Sequence, residues 1–121
     1  DPERVNYITA HGTSTPLNDA AESRAIRTVL KEQADRLCVS SSKSMVGHIL
    51  GGSGGVELVL SALMAYEGVV HPTINQETPD PECDLDYVPN EARDLQIDHL
   101  LSNSLGFGGH NVSLLLARFD A

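Results

Sequence analysis

The sequence predicts an α/β fold, a mixed β-sheet packed by helices, and three observations predict it. Short β-favouring runs, Val5 to Ile8, Leu37 to Val39, Leu100 to Ser104 and Val112 to Phe119, alternate with two helical patterns. Their order, β-α-β-α-β-β, is one in which helices cover strands. The loops after the strands carry the His, Lys and Gly-Phe-Gly clusters, and strand ends are where open α/β sheets place their sites.

The first strand runs into Ala10-His11-Gly12-Thr13-Ser14-Thr15-Pro16, whose Gly, Pro and hydroxyl residues break regular structure. Asp19 followed by Glu22 is a capping-box pattern, and Ala21, Ala25 and Val29 recur at helical spacing, so a helix is predicted over 20–31. Leu37-Cys38-Val39 is a buried strand that ends in the loop Ser40-Ser41-Ser42-Lys43-Ser44. Beyond the glycines, Val56, Leu58, Val59, Leu60, Leu63 and Met64 are apolar nearly all the way round, which predicts a helix buried on most sides. From His71 to Asp98 four prolines and little periodicity predict an extended excursion. Two strands with a tight glycine turn, Gly106-Phe107-Gly108-Gly109, close the chain, with Leu114-Leu115-Leu116 as a core run.

A length of 121 residues and a hydrophobic fraction of 40% fit one unit over 1–121 with a packed core. The chain opens at Asp1 almost directly on a strand, so an upstream extension is expected. Seventeen Asp and Glu against eight Lys and Arg give a net charge of −9, which repels phosphate backbones and anionic bilayers. Neither nucleic acid nor membrane is expected as a partner. The apolar stretch from Val56 to Ala65 is too short to cross a bilayer, and two cysteines without motif spacing fit a reducing, cytoplasm-like compartment.

Two segments pair a histidine with small or glycine neighbours, Ala10-His11-Gly12-Thr13 and Val46-Gly47-His48-Ile49. A lone histidine is usually structural, but two in equivalent settings suggest a shared task. His48 stands just before a helix, whose N-terminal dipole disfavours imidazolium and keeps the ring neutral. Two neutral imidazole N–H groups converging on one oxygen form an oxyanion site for an enolate or tetrahedral intermediate, chemistry that needs no metal. A zinc reading lacks a third ligand.

Glu57 lies among apolar residues, where a carboxylate is costly unless paired, and Lys43 is the expected partner; the plain alternative is that Glu57 faces water. The glycines from Gly47 to Gly55 match neither a P-loop ending nor the third glycine of a dinucleotide fingerprint, and are read as packing glycines. Cys38, in an apolar strand, and Cys83, between Glu82 and Asp84, are read as structural thiols. His71, His99 and His110 have no partner pattern and are assigned to surface or loop.

Taken together, His11-Gly12-Thr13-Ser14-Thr15 with Asp19 and Glu22, Ser42-Lys43-Ser44 with Gly47-His48, Glu57, Pro72-Thr73-Ile74-Asn75, and Asn103-Ser104 with Gly106-Phe107-Gly108-Gly109 closely resemble the C-terminal portion of β-ketoacyl-acyl-carrier-protein synthases of the synthase II type. The resemblance covers Val5 to Ala117. It implies a thiolase-like fold and a Cys-His-His condensing enzyme of fatty acid synthesis, an acyltransferase that joins malonyl and fatty acyl thioesters. By that match His11, His48 and Lys43 are catalytic, with Glu57 and Asp19 supporting them. Thr13, Thr15, Phe107 and Gly108 correspond to residues that contact the phosphopantetheine arm or the acyl chain, Phe107 as a gate.

The resemblance further implies no metal, no cofactor beyond the phosphopantetheine arm of acyl carrier protein, that carrier as partner, a homodimer, and a location in the bacterial cytoplasm or plastid stroma. The family's nucleophilic cysteine belongs to an N-terminal half, and neither Cys38 nor Cys83 matches its motif, so the chain alone is expected not to condense. His110 stands where the family often has Thr. Two rival readings are a polyketide ketosynthase and a non-catalytic, carrier-binding subunit of the chain-length-factor kind.

Overall fold

The computed structural model describes residues 1–119. β1 (Tyr7–Thr9), α1 (Pro16–Leu30) and β2 (Cys38–Ser40) form a parallel crossover unit. A short helix α2 (Lys43–Val46) and the long α3 (Ser53–Glu67) follow, then a two-stranded antiparallel ribbon of β3 (Val69–Val70) and β4 (Arg93–Asp94). The hairpin of β5 (His99–Leu105) and β6 (Asn111–Ala117) ends the fold. The main sheet has the order β2-β1-β5-β6, with β1 parallel to both neighbours and β6 antiparallel at the edge.

Side chains alternate across the strands, so the sheet has two packed faces. Ile8 and Val39 meet Ile26, Leu30, Ala34 and Leu37 on the α1 side. Tyr7, Cys38 and Leu100 meet Met64, Val70, Val88 and Ile97 on the α3 side. The excursion after β3 supplies Val88 and Ile97, both fully buried, and bridges back at Cys38 to Asp86 and at Thr73 to Pro89.

The helix predicted from residue 20 begins four residues earlier. Thr15 is its N-cap, accepting the Asn18 N–H at 3.3 Å, and Pro16 fills the first turn, where a missing N–H costs nothing. Asp19 and Glu22 therefore do not form the capping box; their carboxylates turn back to the preceding loop. The strands around Val5 and Leu37 each sit one or two residues later than predicted. Lys43 lies on a helical turn, not in a loop.

The largest departure is α3. Its buried positions are Ser53, Glu57, Ser61 and Met64, one stripe at helical spacing, while Val56, Val59, Leu63 and Tyr66 face outward. The helix is thus not buried on most sides within this chain, because one sheet covers one stripe only. Leu114 and Leu115 on β6 are likewise exposed, so the Leu114–Leu116 run is not the core that its composition predicts. Both surfaces are apolar and lack a second layer among the described residues.

The candidate active site

The site is assembled from loops at the carboxyl ends of the parallel strands β1 and β2. Ala10 donates its N–H to the Ser40 carbonyl at 3.0 Å, holding the two loops together as they leave the sheet. Gly12 makes the close approach possible: at φ +46 it adopts a left-handed backbone, and a Cβ there would lie 2.5 Å from the Ser41 Cβ. Ser41 Oγ donates to the Gly12 carbonyl at 3.0 Å.

Glu22, on the buried stripe of α1, fixes the histidine loop. Its two oxygens accept the N–H groups of His11 at 2.9 Å and Gly12 at 3.1 Å. The Asn103 side-chain amide on β5 donates to the same carboxylate at 3.2 Å, and Ser113 on β6 donates to Asn103 at 2.8 Å. One carboxylate thus ties the turn to α1 and to the hairpin. The sequence signal was a Glu at an inward helical position, obscured by its fit to a capping box.

His11 is 9% exposed, and burial first, then the charge of Lys43, pushes its imidazole below the usual range. Its ring stands edge to face with His48, 5.5 Å between centroids and 85° between planes. His48 is exposed and lies between α2 and α3. The Leu50 backbone N–H donates to its Nδ1 at 3.2 Å, and the Ser53 hydroxyl lies 3.0 Å from the same atom. A nitrogen that receives an N–H carries no proton of its own, so the neutral ring presents Nε2–H as its free donor. Ser53 also accepts the Ile49 N–H at 3.1 Å, which anchors it at the first turn of α3.

Lys43 hydrogen-bonds Glu57 Oε1 through Nζ, and the two side chains are 5% and 2% exposed. The pairing read from the sequence is present, and Glu57 does not face water. Charges this deep are held only as a pair.

Thr13 and Thr15 hydroxyls lie 3.0 Å apart, and Asp19 accepts the Ser14 N–H at 3.2 Å. A cleft of about 810 Å³ opens beside them, lined by Gly12, Thr13, Thr15, Ser41, Lys43 and Tyr87, without either histidine. Phe107, 97% exposed, and Gly108, at φ +73, occupy the turn between β5 and β6, and Phe107 makes no aromatic contact among the described residues. Cys38 meets Asp86 and Arg93, and burial, then the Asp86 charge, pushes its thiol up, as a structural thiol requires. His71 lies half-buried in the loop after β3, as expected, with its Nε2 buried and without a partner among the described residues, whereas His99 lies on β5 with a buried Nδ1.

Residues 1–77 match the family described as beta-ketoacyl synthase, C-terminal domain. The chain belongs to the β-ketoacyl synthase family. It is 58% identical over 119 residues to 3-oxoacyl-[acyl-carrier-protein] synthase 2 of Synechocystis, and 55% identical over 121 residues to the protein of that name from Staphylococcus aureus. These matches cover 98% and 100% of this chain but 29% of each relative, so this β-ketoacyl synthase chain spans under a third of their length.

A solved structure of a type II polyketide acyl-carrier protein in complex with its ketosynthase superposes with a TM-score of 0.94 at 47% identity, covering 98% of this chain and 29% of that one. The fold is the thiolase-like α/β fold of ketosynthases.

Proposed function

We propose that this chain supplies the histidine half of a 3-oxoacyl-[acyl-carrier-protein] synthase, which extends a fatty acyl chain by decarboxylative Claisen condensation. The reading is carried by the His11–His48 pair, two rings held edge to face, His11 in the loop after β1 and His48 between α2 and α3. In the reaction the malonyl thioester loses carbon dioxide, and the electron pair left behind becomes an enolate whose oxygen takes hydrogen bonds from the two imidazoles. The enolate carbon attacks the acyl thioester on a cysteine outside this chain; a carbon–carbon bond forms and the cysteine thiolate leaves.

Lys43 and Glu57 set the field beside the histidines, with Asp19 supporting the loop. Thr13 and Thr15, which line the cleft, receive the phosphopantetheine arm, and Phe107 with Gly108 gates the acyl chain. The carrier protein is the partner, no other cofactor is needed, and the full-length synthase is a cytoplasmic homodimer. Support for the carrier comes from the ketosynthase relative whose structure is a complex with its acyl-carrier protein. That same relative favours a second reading, in which the thioester extended is a polyketide.

The test is radiolabelled acyl transfer from acyl carrier protein to this chain, alone and mixed with the N-terminal portion of a related synthase. Label only in the mixture supports the reading. Stable labelling of the chain alone contradicts it and makes Cys38 or Cys83 the nucleophile.

A further inference from the structure

His48 is exposed, so hydrogen bonds more than packing decide which of its ring nitrogens carries the proton. The Leu50 backbone N–H, 3.2 Å from Nδ1, keeps that nitrogen bare. A hydroxyl 3.0 Å from a bare nitrogen can only donate to it, so Ser53 gives its one O–H to His48. The Ser53 oxygen is left to accept, and it takes the Ile49 N–H at 3.1 Å. Backbone amide, hydroxyl and ring thus agree on one direction of donation, which ends at Nδ1.

The two donors on that nitrogen are not equivalent. Leu50 stands at φ +52, a left-handed backbone that is disfavoured for any residue with a Cβ, on the single turn Leu50–Gly52. Ser53 is 6% exposed and opens the buried stripe of α3. Glu57, which holds Lys43, follows one helical turn later on the same stripe. One rigid helix face therefore carries both the hydroxyl that holds His48 and the carboxylate that holds Lys43. Bonds in series also polarise one another: a proton donated to Nδ1 draws density from the ring and makes Nε2–H the stronger donor.

We infer that Ser53 is a positioning residue for His48, whose hydroxyl fixes the tautomer and strengthens the Nε2–H that the enolate oxygen is to receive. The catalytic consequence rests on the condensing-enzyme reading of this site; the bond from hydroxyl to imidazole does not.

The experiment uses the full-length synthase with ¹⁵N-labelled histidine, and reads the His48 Nδ1 resonance together with malonyl decarboxylation and cysteine acylation. Ser53→Ala removes the hydroxyl and adds no bulk, and Ser53→Thr keeps it. Ser53→Ala is expected to move the Nδ1 resonance downfield, toward a bare nitrogen with fewer donors. It should lower kcat for decarboxylation about five- to tenfold, the loss of one net hydrogen bond, with KM and the acylation rate unchanged. Ser53→Thr should stay within about twofold of the parent, and Ser53→Ala added to His48→Ala should cost nothing further, because Ser53 acts through that ring. An unmoved Nδ1 resonance in Ser53→Ala, equal losses in decarboxylation and acylation, or a further loss in the double variant overturns the proposal. If Ser53→Thr does not fold, the Nδ1 resonance of Ser53→Ala and the double variant decide it. A parent that does not decarboxylate malonyl thioesters sinks the function proposed above, while the Nδ1 resonance still decides the bond.

Discussion

The edge of one imidazole meets the face of the other at His11 and His48, with centroids 5.5 Å apart. The two rings reach that position by different means. His11 is held from behind, through its own backbone N–H on Glu22, and His48 through its ring, by Leu50 and Ser53. Losing either ring should therefore leave the other in place.

On the proposed mechanism, His48→Ala in the full-length synthase removes one oxyanion donor without touching the His11 loop. Malonyl decarboxylation is expected to fall about 10²- to 10³-fold, the usual loss for one such donor. Acylation of the cysteine from acyl carrier protein should remain measurable, since it needs no enolate. Parallel assays of carbon dioxide release and acyl-enzyme formation check this; normal decarboxylation would remove His48 from its role.

Much of this was legible in the sequence because the motifs sit at strand ends and carry rare combinations of residues. The order of the four main-sheet strands and the two long helices, the loop positions of His11 and His48, and the Lys43–Glu57 pair could be read from pattern and from the cost of a buried charge, while α2 and the β3–β4 ribbon could not. Which face of α3 turns inward could not. An all-round apolar helix gives no periodicity to choose a face, and the sheet took the stripe with Ser53, Glu57 and Ser61, whose hydrogen bonds needed a partner. Ser53 was missed for a related reason, since a serine at a helix start reads as a cap, and its contact with His48 depends on the turn at Leu50.

Lys43 and Glu57 should be unequal to any single replacement. Lys43→Met leaves a buried carboxylate and Glu57→Gln a buried ammonium without its counterion, each expected to cost about 3 to 5 kcal/mol. Replacing both removes the two charges together and should cost clearly less than the sum. Denaturant titration of the single and double variants measures this coupling; additive losses would mean that the pair is not one unit.

Acid should destabilise the protein in two steps. Burial holds His11 and His71 below the ordinary 6.5, so between their folded values and 6.5 the unfolded chain binds more protons, and stability rises with pH. Their contribution is full above 6.5, falls as pH drops through that value, and is gone below the folded values. Asp84 and Asp86 lie below the ordinary 3.8 because of their bonds to Arg27 and Arg93, so their share is present above 3.8 and is lost at lower pH. Urea midpoints measured from about pH 8 downward should show the first fall near 6.5. His71→Asn should shrink that fall, and an unchanged profile would place the titration elsewhere.

Glu22→Gln tests the anchor of the histidine loop with almost no change of shape. The carboxylate accepts one backbone N–H on each oxygen, from His11 and from Gly12. An amide has one acceptor and one donor, so one of those N–H groups must face an N–H and lose its bond. Leaving a buried donor unsatisfied costs about 1 to 3 kcal/mol, and the turn should relax away from it. On the proposed mechanism, a shift of about 1 Å in His11 should lower kcat about 10²-fold while the substrate still binds, so KM should hold. Glu22→Asp keeps both acceptors but is one methylene shorter, and should retain more stability than Gln while still losing rate. Thermal unfolding with kcat and KM for the parent and both variants of the full-length synthase separates the outcomes. If Glu22→Gln keeps both stability and rate, the turn is held by Gly12 and Ser41 instead of by the carboxylate.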